Sequence, residues 1–383
     1  MFKQERIVVF ILCFCCLYGC LSDPKSSKTV GKAGLVKHPV EATGFAIQDC
    51  GSYKKLSVKD PWQKSKDIRF DYFLVKKGEN IPESLKGQFI VVTPVRRVVC
   101  LSTTHIGFLD ALGKLSSVVG LSGTAYLSNA EVKKGVEENL ILEVGNERGL
   151  NYEKIIQLKP DIVFAYGVGS EISAQINKLH DLGIPVVLVG EYLEQNPLAK
   201  AEWIKFFGAF FGSEATADTC FDHIKTRYNN IKSSVAGVTV KPTVLTGLPF
   251  KDTWWMAGGQ SNLAELIKDA GGKFLWEENL SKEAFPVSLE EVFLRASRAD
   301  FWINCGSVSS LSELMSFDQR FSELPVVKKS RVYNNNLRSN ANGGNDYWES
   351  GVVHPDLVLD DLVAILHPEY VTGKDFYYYR KLK

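Results

Sequence analysis

From Glu214 to Ser233 the chain contains neither glycine nor proline. Such a stretch reads as one continuous helix of about 30 Å, at about 1.5 Å per residue, and the rest of the fold has to be arranged around it. On its N-terminal side, strand and helix alternate. Val98 to Leu101 is an apolar strand, Ile106 to Leu112 has helical spacing, and Val118 to Leu121 is again a strand. Helix Tyr152 to Leu158, strand Ile162 to Ala165, helix Glu171 to Leu182 and strand Val186 to Val189 follow. After Pro242 the alternation resumes with Val244 to Thr246, helices Asn262 to Asp269 and Leu289 to Ala296, strands Phe301 to Asn304 and Arg331 to Tyr333, and a last helix Asp356 to Leu366. Apolar strands alternating with helices across short turns predict mostly parallel sheets covered on both faces.

The two alternating tracts share a unit. Asn151-Tyr152-Glu153 opens a helix that leads to Asp161, an apolar strand and Gly167. Ser288-Leu289-Glu290 opens another, leading to Asp300, an apolar strand and Gly306. In both units the acidic residue stands two positions after the capping residue. Two such units flanking a long helix predict two related lobes that face each other.

The N-terminus carries an address. Lys3 and Arg6 precede an apolar run, Ile7 to Leu17, which is too short to span a bilayer and fits a secretory signal core. Leu17-Tyr18-Gly19-Cys20 closes it in the order of a bacterial lipoprotein cleavage box, so Cys20 is the expected lipidation site. Acyl chains hold a protein at a membrane without a spanning helix. Of eight cysteines, Cys13, Cys15 and Cys16 leave with the signal and Cys20 takes lipid. Cys50, Cys100, Cys220 and Cys305 match no zinc or redox spacing, and Cys100 and Cys305 sit in strand-like runs as packed thiols. A net charge of +1 gives no field for nucleic acid. The expected organisation is a signal peptide at 1–19, a tether at 20–45, a β-rich extension at 46–92, an α/β lobe at 93–196, a helical linker at 197–238 and a second α/β lobe at 239–383.

With these features in place, the chain resembles the substrate-binding lipoproteins of ABC importers for iron-siderophore, haem and vitamin B12 uptake. The segments that carry the resemblance run in order through Val98 to His105, Leu150 to Glu153, Leu158 to Asp161, the Glu214–Ser233 stretch, Trp255 to Ser261, Phe285 to Ser288 with Glu290, and Asp346 to Glu349. The resemblance implies two Rossmann-like lobes joined by a single long α-helix, with a ligand held between them. It implies an ABC permease and its ATPase subunits as partners, and a monomer facing the periplasm or cell exterior on its lipid anchor. No cofactor is implied, because a metal chelate would be cargo. Glu153 and Glu290 match the positions at which the family docks on its permease. The same residues also suit the positive end of a helix dipole.

Ligands of doubly wound sheets bind at the carboxyl ends of the strands. The loops there offer Tyr126, Tyr166, Trp254, Trp255, Tyr347 and Trp348, whose broad faces and single polar atoms suit a bulky chelate. Adjacent strand residues point to opposite faces, so at most one of Trp254 and Trp255 faces a cleft. His105 is the one histidine near the cleft, and Arg148 and Arg338 are loop cations for an anionic chelate. The aromatics suit a neutral corrinoid, the arginines an iron chelate, and the iron chelate is the first expectation. An exported enzyme is the rival class, but the chain has no Gly-x-Ser-x-Gly elbow, no phosphate loop and no His-Glu-x-x-His pair. No spacing supports a free-metal site.

Overall fold

The tract after Arg97 folds as a five-stranded sheet in the spatial order Val186–Leu188, Ile162–Ala165, Val98–Cys100, Val118–Leu121, Leu142–Glu143, with every neighbouring pair parallel. Every residue of the first four of these strands is buried, as a sheet covered on both faces requires. Helix Tyr152–Leu158 lies close over it. A side chain at Gly120 would place its Cβ 2.7 Å from Leu158 Cδ1 and 2.8 Å from Val144 Cγ1, so any larger residue there would have to push both aside. The computed structural model describes residues 36–37, 39–146, 149–167, 172–251, 253–370, 373 and 375–383. Cys20 and Arg148 lie outside the described residues.

Beyond Pro242 a second parallel sheet sets Thr243–Thr246 between Lys273–Phe274 and Phe301–Ile303. A parallel bridge from Trp302 to Val332 extends it. Beside it, Pro249–Phe250, Thr253–Met256 and Phe285–Ser288 form an antiparallel sheet. The repeated unit has a physical basis in the two sheets. Asp161 Oδ2 accepts the N–H groups of Arg96 and Arg97 at 2.6 and 2.9 Å, and its own N–H donates to Arg97 O at 2.7 Å. Asp300 Oδ2 accepts the N–H and hydroxyl of Thr243, each at 2.9 Å, and its N–H donates to Thr243 O at 2.9 Å. In each lobe this aspartate locks the start of its own strand to the start of the parallel neighbour.

Helix Pro197–Phe210 is apolar on nearly all sides and buried, with Trp203, Phe206, Phe207 and Phe210 fully enclosed. It packs on helix Glu214–Ser234, which also contacts helix Pro355–Leu366. At 21 residues the Glu214–Ser234 helix spans about 31 Å. Its first turn pairs with the N-terminal sheet through Glu214 and Lys54. Its later turns reach the C-terminal lobe: Arg227 meets Asp356 and Asp360 at 3.3 and 2.9 Å, while Tyr228 Oη donates to Asp269 at 2.8 Å.

The N-terminal extension is a five-stranded sheet, Val36–Lys37, Phe45–Asp49, Lys54–Lys59, Arg69–Lys76 and Ile90–Thr93. Its first strand falls inside the span expected to be tether, and the folded body therefore starts earlier. The reason is a pair of buried carboxylates. Glu202 accepts the N–H groups of Val40, Glu41 and Ala42 at 3.0, 2.7 and 2.9 Å, and Glu194 accepts those of Thr43 and Gly44 at 2.9 and 2.8 Å. Burial opposes the Glu202 charge, but those three N–H donors and Lys205 outweigh it and hold its pKa below the ordinary value. Cys100 and Cys305 are fully buried free thiols, and burial pushes both thiol pKa values up.

Candidate functional site

At the carboxyl ends of the second sheet lies an open cavity of about 640 Å³. Asn304 and Gly306 reach it directly from strand Phe301–Ile303, and Asn335 and Asn336 from strand Tyr333–Asn334. Asn304 takes a positive φ of 57°, a conformation that asparagine tolerates better than most residues, and this turns the chain out of the sheet. Its Oδ1 accepts the Tyr379 hydroxyl at 2.8 Å. Asn334 Nδ2 donates to the carbonyls of Gly306 and Val308 at 2.9 and 2.8 Å, which stitches the two strand ends together. Arg380 donates through Nε to Asn336 Oδ1 at 2.8 Å and through Nη2 to Asn336 O at 2.8 Å. Among the described lining residues Arg380 is the one charged side chain; the others are amides, hydroxyls, small residues and Trp348. The wall is therefore polar but close to neutral.

Trp348 is the aromatic of that wall, with 57% of its surface exposed. It is held from beneath by Tyr347, whose ring lies 4.7 Å away edge-on, and Tyr347 is buried against the rings of Tyr378 and Tyr379, each 5.9 Å away. The pair thus divides into a support and a contact. Tyr126 stands on the opposite lobe, more than half exposed, and its carbonyl meets Gly344 at the cavity rim so closely that a Cβ there would lie 2.0 Å from it. Tyr166 follows strand Ile162–Ala165 and is half-buried.

Other expected contacts lie elsewhere. His105 is fully buried in the first turn of helix Thr104–Ala111, among Phe164, Tyr166 and Phe207. Neither ring nitrogen has a partner, and burial pushes its pKa down to about 3, so it is a neutral core residue and not a wall of the cleft. Trp254 is also core: its Nε1 donates to Thr246 O at 3.0 Å and its ring packs on Trp302 and Phe321. Strand alternation sends Trp255 to the outer face of the antiparallel sheet, opposite Pro286, where it does not line the cavity. Arg338 Nε is paired with Asp346 at 2.6 Å and its guanidinium covers Tyr377 at 4.6 Å, so its charge is already engaged. Glu153 and Glu290 are both exposed in the first turns of helices Tyr152–Leu158 and Leu289–Ala296, behind the capping side chains Asn151 and Ser288.

Sequence reasoning passed over Asn304, Asn335, Asn336, Asn340, Asn345 and Arg380. The signal was the density of asparagine between 334 and 345, which reads as turn chemistry before it reads as a lining. Among the described residues no cluster of three or more His, Cys, Asp or Glu side chains is arranged to hold a metal ion, and no helix is long and apolar enough to cross a membrane.

A family model described as periplasmic binding protein matches residues 98–336. An uncharacterized lipoprotein of Methanocaldococcus jannaschii is 27% identical over 375 residues, covering 94% of this chain and 87% of the relative. The vitamin B12-binding protein of Vibrio vulnificus is 24% identical over 220 residues, 54% of this chain and 71% of that protein. A periplasmic haem-binding protein of Pseudomonas aeruginosa superposes with a TM-score of 0.58 at 16% identity, over 76% of this chain and 98% of that one.

Proposed function

The chain belongs to the periplasmic binding protein family, and on that premise we propose that it captures an iron chelate of the siderophore type between its lobes and delivers it to the permease of an ABC importer. It is a binding protein and not an enzyme; the family serves transporters, with the permease and ATPase subunits as partners. The observation that carries the reading is the cavity at the strand ends, with Trp348 exposed on a wall of amides and hydroxyls and Arg380 as its single charge. A chelate bearing several negative charges calls for several cations in bidentate geometry. This wall suits one of low net charge, such as a ferric ion neutralised by three hydroxamates.

A corrinoid is the second reading. Its peripheral amides would pair with the asparagines, and one relative is a vitamin B12-binding protein. Haem, with two carboxylates, is less well matched by one arginine that is already bonded to Asn336.

Glu153 and Glu290 stand at equivalent places on the two repeated units and are exposed on each, which supports a two-point docking on the permease. Complementary charge there would set orientation and association rate more than affinity. The Glu214–Ser234 helix, tied to structure at both ends, supports a small closure about a stiff connection. Lipid at Cys20 keeps the monomer at the membrane, outside the cytoplasm.

Tryptophan fluorescence tests the ligand. The chain without its signal is titrated with a ferric trihydroxamate, a ferric triscatecholate, haemin, cyanocobalamin and zinc. Quenching by the trihydroxamate, lost in Trp348→Phe, is the expected result. Quenching by cyanocobalamin alone selects the second reading, and a response to zinc alone overturns both.

A further inference from the structure

The segment that carries Tyr126 is gripped by the opposite lobe from both sides of its backbone. Glu349 Oε2 and Oε1 accept the N–H groups of Ser128 and Asn129 at 2.8 and 2.7 Å. Asn340 Nδ2 donates to the carbonyls of Leu127 and Ala125 at 2.9 and 3.4 Å. Both gripping side chains are themselves fixed. Asn340 Oδ1 accepts the N–H groups of Asn342 and Gly344, each at 2.9 Å, so the amide is used at both ends. Glu349 ends the short helix Asp346–Glu349, which Asn345 caps and Arg338 tethers through Asp346. Its own carbonyl lies so close to helix Thr104–Ala111 that a Cβ at Gly107 would stand 2.3 Å from it. The gripped segment is equally well defined: Asn129 caps helix Ala130–Glu137 and donates to Asp110 at 3.0 Å.

These contacts sit on the rim of the cavity, which Asn340, Asn345 and Trp348 line. A buried carboxylate spent on two N–H groups of the other lobe is a costly way to fill space, because burying such a group is compensated only by its partners. We propose that Glu349 and Asn340 form a latch between the lobes: they hold the 125–129 segment against the rim of the cavity, where Asn340 is itself a lining residue, and so set how long a ligand stays there. They are positioning residues, and the retention half of the proposal rests on the reading that this cavity takes the ligand. A partner that unloads the protein by parting the lobes here must break these four hydrogen bonds.

Amide hydrogen exchange of the full chain without ligand tests the latch itself. The Ser128 and Asn129 amides are bonded to Glu349. In Glu349→Ala they are expected to exchange about tenfold faster or more, a factor equivalent to about 1.4 kcal/mol. Asn340→Ala should raise the same two rates, and Glu349→Gln, which keeps one acceptor, should fall between. The amides of helix Asn262–Asp269 serve as the internal reference and should not change. If Glu349→Ala unfolds, Glu349→Gln and Asn340→Ala carry the test. Unchanged exchange at Ser128 and Asn129 in those variants overturns the latch. The second arm is the off-rate of whichever chelate titrates the wild type: it should rise in the same variants, and faster exchange with an unchanged off-rate overturns the proposal as well. Absence of binding by any chelate sinks the ligand reading alone, and the exchange result then still decides the latch.

Discussion

Glu349 should make the stability of this protein fall as pH rises, the reverse of the usual carboxylate. Burial drives its pKa from 4.5 up to about 7, with Asp346 on its own helix and Asp110 on helix Thr104–Ala111 adding like charge. The N–H groups of Ser128 and Asn129 oppose this without cancelling it. A carboxyl raised in the native state binds more protons folded than unfolded. Its contribution is therefore fully present below the unfolded value near 4.5 and is lost as pH climbs through about 7. With about 1.36 kcal/mol per pKa unit, the loss between roughly pH 5.5 and pH 8 is of the order of 2 kcal/mol. Burial also pushes the Asp356 carboxyl up and the His354 imidazole down from their ordinary values, so the comparison must be differential. Glu349→Gln copies the uncharged form and holds it at every pH. Urea denaturation of the wild type and of Glu349→Gln at both pH values gives the two slopes. The wild type should lose about 2 kcal/mol relative to the glutamine variant on going from the lower to the higher pH. Equal pH responses would refute the argument. A wild type that gains on the variant with rising pH would show that the two N–H donors win and the carboxylate is held charged.

Further outcomes follow from the same contacts. His105→Leu should leave ligand binding unchanged and raise stability by about 1–3 kcal/mol, since it removes two buried nitrogens without partners; thermal denaturation with a binding titration checks both. Asp161→Ala and Asp300→Ala should each cost about 1.5–3 kcal/mol, and the double variant should cost their sum, because the two aspartates serve separate sheets; denaturant midpoints decide. Glu153→Arg with Glu290→Arg should abolish uptake in cells while leaving the affinity for the chelate within about twofold, as expected for exposed charges away from the ligand. Retained uptake in that double variant would remove the docking reading.

Much of this fold could be read from the residues. The Gly- and Pro-free stretch, the apolar strands and the aspartate-led repeat all report local or near-neighbour chemistry, and helix Tyr152–Leu158 and strand Val118–Leu121 lie where their patterns put them. Long-range contacts were harder. The start of the folded body depends on Glu194 and Glu202, whose partners stand some 150 to 162 residues earlier in the chain. Nothing local in residues 36–45 reveals those partners. The candidate site was half legible for a similar reason. Of the aromatic residues expected at strand ends, Trp348 lines the cavity, from the short helix Asp346–Glu349. Which ring of an adjacent pair turns outward is a matter of packing: Trp254 and Tyr347 became supports, Trp255 and Trp348 surfaces. His105 follows a strand as a ligand contact might, yet the helix it begins turns it into the Phe164 and Phe207 cluster. The asparagines were hidden by being good turn residues, and their second role as a neutral lining emerges only when four separate chain segments meet.

The central claim is that the ligand sits at the carboxyl ends of the second sheet. The structure also holds a cavity of about 460 Å³ bordered by Gln195, Gly259 and Phe274, and one of about 500 Å³ between Tyr53 and Phe211. A crystal structure of the protein loaded with the chelate that quenches its fluorescence distinguishes them. The chelate should lie against Trp348 and within hydrogen-bond reach of Arg380 and the asparagine amides. A chelate seated in either of the other two cavities, with the Trp348 wall empty, would contradict the account.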